Sequence, residues 1–460
     1  MDIAKRVLKI IVVPLIVGLF LLGQWLFYYP GAYEPPPSEP PDLSDIIVPS
    51  PAVTEFEDTF ERRQGTVVVD VAHQNRFAAD ELYLPELRIA SRGYEVHYLE
   101  TAEELAEKLR LADSLVVVLP RKAFSAAEVK LVKGFVAKGG KLLLVADPTR
   151  PSAINSLATE FGLVFEKDHL YNIKENEGNY RNVFFRDFAD SPLTAGLSQV
   201  VLYAAGAVSS SGGGLVFADE DTFASTRETT EPLSPVAISA DHRVLAVADL
   251  TFMLAPYYAF WDNQRFIANI ADWLTTSARV FQLEDFPYFL DAVTVAPGDG
   301  SLFVQGLMLK NLLADRGRSP TLSQWPGAGE IAGDTVFLGL FEHLEAVADF
   351  LEDGISLIEV EEGEAEVEVR GVGRLPQRGT SLLYLCDADA YQVLLCLADT
   401  QETLDKMVGL LKTGDFREHL VSDSLAIYHQ GVEEEEPAEE EGAEEQPEED
   451  SWPFPFPPAE

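Results

Sequence analysis

The stretch VVVDVAHQNRF, Val67 to Phe77, ends an apolar run in Asp70 and sets His73 three residues further on. A carboxylate beside an imidazole is a pair that general acid–base chemistry uses, so a reaction is first sought here. Strands of a parallel α/β sheet deliver the residues just past their ends to one rim, where ligands bind. Asp70, His73, Asn75, Pro120, Arg121 and Asp147 fall at such expected ends. Asp249, Asp262 and Asn263 join them from a later hairpin and helix. Three readings of this polar rim compete. The side chains hydrogen-bond loop backbone and shape the rim; or a cleft around Asp70, His73, Asn75, Arg121, Asp147, Asp262 and Asn263 binds a small polar ligand or a peptide; or the rim is a hydrolase or metal site. Metal binding needs converging ligands, yet His-x-His, His-Glu-x-x-His and calcium-loop spacings are all absent. His97, His169, His242, His343, His419 and His429 show no metal-ligand spacing either. No metal and no cofactor are expected.

The elements that must position these residues alternate. GTVVVDV, YEVHYLE, DSLVVVLP and KLLLVAD read as strands, apolar throughout, which places them in a parallel sheet covered on both faces. Between them lie helices. PELRIASRG carries Pro85 in its first turn and Gly93 at its end. Thr101 with Glu104, and Ser125 with Glu128, are spaced as capping boxes. Val129, Val132, Phe135 and Val136 share one helix side, which Gly139 and Gly140 terminate. A further helix carries Ile154, Leu157 and Phe161. SSSGGG, Ser209–Gly214, has no Lys-Ser/Thr behind it and opens no helix, so it reads as a turn and not a phosphate loop. PVAISADHRVLAVADL predicts a hairpin around Ala240–His242, and Asp262 caps a helix carrying Phe266, Ile267, Ile270, Trp273 and Leu274. A second alternation runs from about Phe281 to His429, with a helix through Phe341, Leu344, Val347 and Leu351 and another through Leu404, Met407, Val408 and Leu411. It predicts a smaller α/β or α+β domain.

The chain of 460 residues carries 34 basic against 76 acidic residues, a net charge of −42. Thirteen of the negative charges follow Gly431, which leaves the remainder acidic as well. Nucleic-acid binding needs a basic stripe to neutralise phosphates, and none is visible. Leu8 to Tyr29 is an apolar run long enough to cross about 30 Å of hydrocarbon as a helix. Lys5, Arg6 and Lys9 precede its centre and no Lys or Arg follows before Arg62, so the N-terminus is expected in the cytoplasm and the bulk of the chain outside. A cleaved signal peptide would have a shorter apolar run with small residues behind it; here the run is long and bulky, which favours an uncleaved, single-pass membrane anchor. The expected organisation is a cytoplasmic N-terminus (1–7), an anchor (8–29), a Pro-rich linker (30–53), a first α/β domain (54–278), a second (279–430) and an acidic tail (431–460) too polar to bury a core. The tail ends in WPFPFPP, a candidate docking peptide, and its acids would suit a basic partner. Cys386 and Cys396 fall in two apolar runs joined by DADA and would not lie opposite each other in a simple hairpin, so they read as small buried hydrophobes.

VVVDVAHQNRF, RGYEVHYLE, DSLVVVLPRKAFSAAEVKLVKGFVAKGGKLLLVADPT and VADLTFMLAPYYAFWDNQRFIANIADWL together resemble the class I glutamine amidotransferase-like superfamily. Within it they are similar to the membrane-anchored bacterial family called domain of unknown function 4350. The likeness spans roughly Gly65 to Thr276 and implies a flavodoxin-like, three-layer fold. Amidotransferases of this fold carry a cysteine on a tight strand-to-helix elbow, activated by a histidine partnered with a glutamate. Here KLLLVAD runs into Asp147-Pro148-Thr149, and no cysteine precedes Cys386. Ser152 sits in TRPSAIN, which lacks the Gly-x-Ser-x-Gly of an elbow. The resemblance therefore implies a non-catalytic binding or scaffold protein, an accessory subunit of an envelope complex beside protein partners. The alternatives are a hydrolase or carbohydrate-modifying enzyme, or a small-ligand sensor, at the rim around His73 and Asp147.

Overall fold

Valine- and leucine-rich runs without a polar face can be satisfied only when both faces are covered, and that is how they fold. The computed structural model describes residues 2–28, 56–229, 231–276, 279–351, 355–358, 365–388 and 391–430. The Pro-rich linker and the acidic tail, with its WPFPFPP end, lie outside the described residues. Helix α1 (Asp2–Tyr28) contains one segment, Val7–Tyr28, long and apolar enough to cross a membrane. The described residues from Phe56 onward form a separate compact unit built on two large sheets.

The first sheet begins with β1 (Gly65–Asp70), β2 (Tyr94–Leu99), β3 (Ser114–Val118) and β4 (Lys141–Val145), crossed by α2 (Tyr83–Ser91), α3 (Leu105–Leu111) and α4 (Ala126–Ala137). After the short α5 (Asn155–Ala158) come β5 (Leu163–Phe165), β6 (Leu170–Asn172), β7 (Asn182–Phe185), β8 (Asp187–Phe188), β9 (Val200–Tyr203), β10 (Val208–Ser210), β11 (Gly214–Phe217), β12 (Thr222–Ala224), β13 (Val236–Ile238), β14 (Val244–Val247) and α6 (Asn263–Leu274). The order is β2-β1-β3-β4-β14-β13-β11-β8, parallel from β2 to β14 and antiparallel beyond. The pleat divides the valines. Val67, Val69, Val116, Val118, Leu143 and Val145 pack beneath α2 and α6, while Val68, Leu115, Val117, Leu142 and Leu144 meet α3 and α4. The remaining short strands pair as β5–β10, β6–β12 and β7–β9 and build a lobe beside the sheet ends. SSSGGG is the β10–β11 turn; a Cβ on Gly212 would sit 2.3 Å from the Ser239 carbonyl carbon, so only glycine fits there.

Two expected caps differ. Ser125 and Glu128 form their box, but Thr101 makes no cap bond because a 3₁₀ turn, Ala102–Glu104, precedes α3. Asp262 occupies the cap position of α6 yet gives that helix no cap bond; its carboxylate turns to Ser198 and Gln199.

The second sheet comprises β15 (Thr294–Pro297), β16 (Thr321–Leu322), β17 (Thr335–Leu340), β21 (Thr380–Asp387), β22 (Gln392–Ala398) and β23 (Leu425–His429), ordered β16-β15-β17-β22-β21-β23. A smaller sheet of β18 (Ile355–Ile358), β19 (Glu366–Val369) and β20 (Gly373–Pro376) lies beside it in sequence. Helices α7 (Phe303–Asp315) and α8 (Gln401–Thr413) bury Leu309, Leu313, Leu404, Met407 and Val408 with Val336, Leu338 and Cys396. The expected helix after β17 is instead a 3₁₀ helix, Phe341–Phe350. Its apolar residues Phe341, Leu344, Val347 and Phe350 recur every third position, the spacing a three-residue turn stacks on one side. Cys396 pairs with Leu383 and Cys386 with Val393, so the two thiols point to opposite faces and form no disulfide with each other. Burial pushes the Cys396 thiol above its ordinary pKa.

Candidate functional site

Strand order places the topological switch point of the first sheet between β1, which leads out to β2, and β3, which leads the other way. Asp70, His73 and Asn75 converge there. His73 Nδ1 lies 2.9 Å from Asp70 Oδ1, and Asn75 Nδ2 donates to Asp70 Oδ2 (3.1 Å) and to the Val118 carbonyl (2.8 Å). The His73 ring is fully buried, stacked on Phe124 with ring centres 3.7 Å apart, and its Nε2 faces Glu128 Oε1 at 3.4 Å. Burial opposes ionisation of Glu128, but hydrogen bonds with Ser125 and the nearness of His73 and Lys122 hold its carboxyl below the usual range. Above this cluster the crevice is laced shut. Arg121 and Lys122 donate their backbone N–H groups to the His73 carbonyl, Arg76 donates to the Leu119 carbonyl, and the Arg150 guanidinium clasps Glu81 and the Arg76 carbonyl. The Arg121 side chain is exposed and does not enter the cluster.

Asp147 and Asp249 stand side by side because their strands run parallel in register and share the ending Val-Ala-Asp-x-Thr. Val145-Ala-Asp-Pro-Thr149 and Val247-Ala-Asp-Leu-Thr251 leave neighbouring parallel strands in register, Val145 opposite Val247. Each aspartate, like Asp70, accepts the N–H two residues ahead: Ala72 to Asp70, Thr149 to Asp147 and Thr251 to Asp249. That is the Asx turn, by which a short carboxylate ends a strand and starts a loop. Thr149 Oγ1 adds a bond of 2.6 Å to Asp147, and Asp249 Oδ2 takes the Tyr203 N–H. Burial pushes the Asp249 carboxyl up to about 8, and Asp147 adds to it against the pull of the Tyr203, Thr251 and Phe252 N–H groups. Asp147 also opens onto a cavity of about 790 Å³ lined by Ser152, Lys167, Asp168, His169 and Ser225 among others. Ser152 Oγ donates to the Pro120 carbonyl and accepts from the Ile154 N–H.

Asp262 and Asn263 serve strand β9. Asp262 Oδ2 accepts from the Ser198 hydroxyl and the Ser198 and Gln199 N–H groups. Although burial acts against it, these bonds and Arg265 keep the Asp262 carboxyl below its ordinary pKa. Asn263 bonds both the N–H and the carbonyl of Val201. Phe124, Glu128, Glu81 and Arg150 were not read from the sequence as parts of the rim. The repeated Val-Ala-Asp-x-Thr was the available signal that Asp147 and Asp249 act alike.

Just past the ends of β15 and β17, Asp299, Glu342 and His343 bring one potential ligand atom each within 4.8 Å of one another. His343 Nδ1 accepts the Leu340 N–H at 3.0 Å, so the ring proton lies on Nε2, 3.2 Å from Asp299 Oδ2. An imidazole so tied has no free lone pair for a cation.

No family model and no curated protein matches the chain. Among solved structures it is similar to the mmIFT52 N-terminal domain, at 16% identity over 47% of this chain and 100% of that one, with a TM-score of 0.39. It is similar to a ThuA-like protein from Bacteroides uniformis, at 12% identity over 48% of this chain and 94% of that one, TM-score 0.31. PurLQS from Thermotoga maritima matches at 9% identity over 46% of this chain and 100% of that one, TM-score 0.27.

Proposed function

We propose that the chain is a membrane-anchored, extracytoplasmic binding or scaffold protein, an accessory subunit of an envelope assembly, with an amidotransferase-like first domain (54–278) that does no chemistry. The observation that carries this reading is the commitment of Asp70, Asp147 and Asp249 to their own loops, with His73 sealed beneath Phe124. A nucleophile needs a base within reach, and Ser152 Oγ, the first serine hydroxyl after β4, is bonded to backbone instead, while the Thr149 hydroxyl closes the turn on Asp147. An elbow also stores a left-handed backbone at the nucleophile. Among the described residues the non-glycine positions with positive φ are Gln74, Leu119, Ala204, His242 and Trp261, none of them Asp147 or Ser152. Lys5, Arg6 and Lys9 ahead of the apolar helix support the anchored organisation.

The test is complementation of a deletion strain combined with cross-linking in native membranes. Asp147→Asn and Ser152→Ala keep the fold and are expected to complement fully, while removal of residues 2–28 abolishes both function and recovery of neighbouring proteins. A folded Asp147→Asn chain that fails to complement would turn the reading towards an enzyme or ligand sensor at the 790 Å³ cavity.

A further inference from the structure

We propose that a small cavity between α3, the end of α7 and the segment after α8 binds a phosphate-sized oxyanion through Arg110, Arg316 and Arg417. The cavity measures about 130 Å³ and is lined by those three arginines with Tyr288, Thr413 and a single carboxylate, Glu107. Three guanidiniums around one space run against the character of a chain whose net charge is −42.

Their charges are poorly compensated. Glu107 is already taken, accepting from Arg316 Nη1 and from the Tyr288 hydroxyl, both at 2.9 Å. Arg417 spends its guanidinium on neutral carbonyls, those of Glu284 (2.8 Å), Phe286 (2.8 Å) and Gly414 (3.2 Å). Among the described residues the Arg110 side chain makes no hydrogen bond and no ion pair. Burial first, and behind it Arg110 and Arg316, push Arg417 down to about 10 against the pull of Asp285 and Tyr288. An oxyanion relieves that crowding and meets donors whose planar forks suit phosphate and sulfate. The volume is well below the ~300–1,000 Å³ of sites for drug-sized ligands, so one phosphate group fits and a nucleotide does not. Free phosphate and the head of a phosphomonoester share this chemistry.

The experiment uses the full chain in a non-ionic detergent, melted in inorganic phosphate and in sodium chloride of equal ionic strength. Phosphate is expected to raise the melting temperature by several degrees, saturably, as mass action requires. Arg110→Gln, which removes a side chain without bonds, lowers phosphate affinity at least tenfold and melts no lower than the parent in chloride. Arg316→Gln, at an exposed position, gives the same loss if the first variant misfolds. A response to glycerol phosphate equal to that of phosphate assigns the site to an ester headgroup, and a response to phosphate alone assigns it to the free anion; either supports the site. Equal melting in phosphate and chloride overturns it, as does a phosphate shift undiminished in both variants. A shift that appears only after deletion of 432–460 also overturns it, since the chain's own acidic tail would then be the occupant.

Discussion

The carboxylates at the end of the first sheet and the arginines at the α3–α7–α8 cavity are both clusters of like charge, and they are wired in opposite ways. Asp70, Asp147 and Asp249 each accept a backbone N–H from their own loop and further donors from neighbours. Their polarity is consumed in fixing where strands end. The Arg110 side chain has no bonding partner among the described residues, and the Arg417 guanidinium has only neutral ones. A buried polar group that is fully partnered builds structure, whereas charges crowded with too little counter-charge favour an anion arriving from outside.

The largest expected effect falls on the carboxylate side. Asp70→Ala strips acceptors from the His73 ring, the Ala72 N–H and the Asn75 amide, and is expected to cost about 3 kcal/mol or more, read as a lower denaturant midpoint at unchanged slope. A loss under about 1 kcal/mol would break the contrast, since the bonds would then not be what that aspartate is for.

Asp249 gives a pH test. Its folded carboxyl holds a proton up to about pH 8, while an unfolded aspartate loses it near 3.9. Between those values the folded state binds the extra proton, so stability falls as pH rises, with a slope approaching ~1.4 kcal/mol per pH unit. Asp249→Asn is expected to flatten that part of the stability profile between pH 4 and 8. A profile unchanged by the substitution removes Asp249 from the account.

Thr149→Val deletes one hydroxyl bond to Asp147 and should cost about 1 kcal/mol, visible in thermal melts; a neutral result would mean the Asx turn suffices alone. The smallest stability effect is expected on the arginine side. Glu107→Gln frees Arg316 and Tyr288 from an exposed acid, shifting stability by no more than about 1 kcal/mol while tightening phosphate binding several-fold. Weaker binding in that variant would mean Glu107 orients the arginines and does not compete with the anion.

Legibility differed between the two regions for a physical reason. The rim aspartates follow apolar runs of fixed direction, and residues ending parallel strands must gather on one side, so VVVD, VAD and VAD point to a shared place. Whether they would be free there was not legible, because Asx turns, the Phe124 stack and the Arg150–Glu81 clasp depend on loops whose paths local spacing does not set. Asp262 shows the same limit, since its position suits a helix cap while its carboxylate serves β9. The 3₁₀ helix from Phe341 was foreshadowed by its every-third-residue spacing, yet a heptad-like reading through Leu351 fits the same letters.

Apolar periodicity, turn residues and the nearly charge-free N-terminal run are local properties, so the sequence by itself determined the α/β class, the buried parallel strands and a helix fit to cross a membrane. Which polar side chains meet is a matter of long-range closure. Arg110, Arg316 and Arg417 lie more than a hundred residues apart from one another along the chain, and only packing α3 against the ends of α7 and α8 brought them to one cavity.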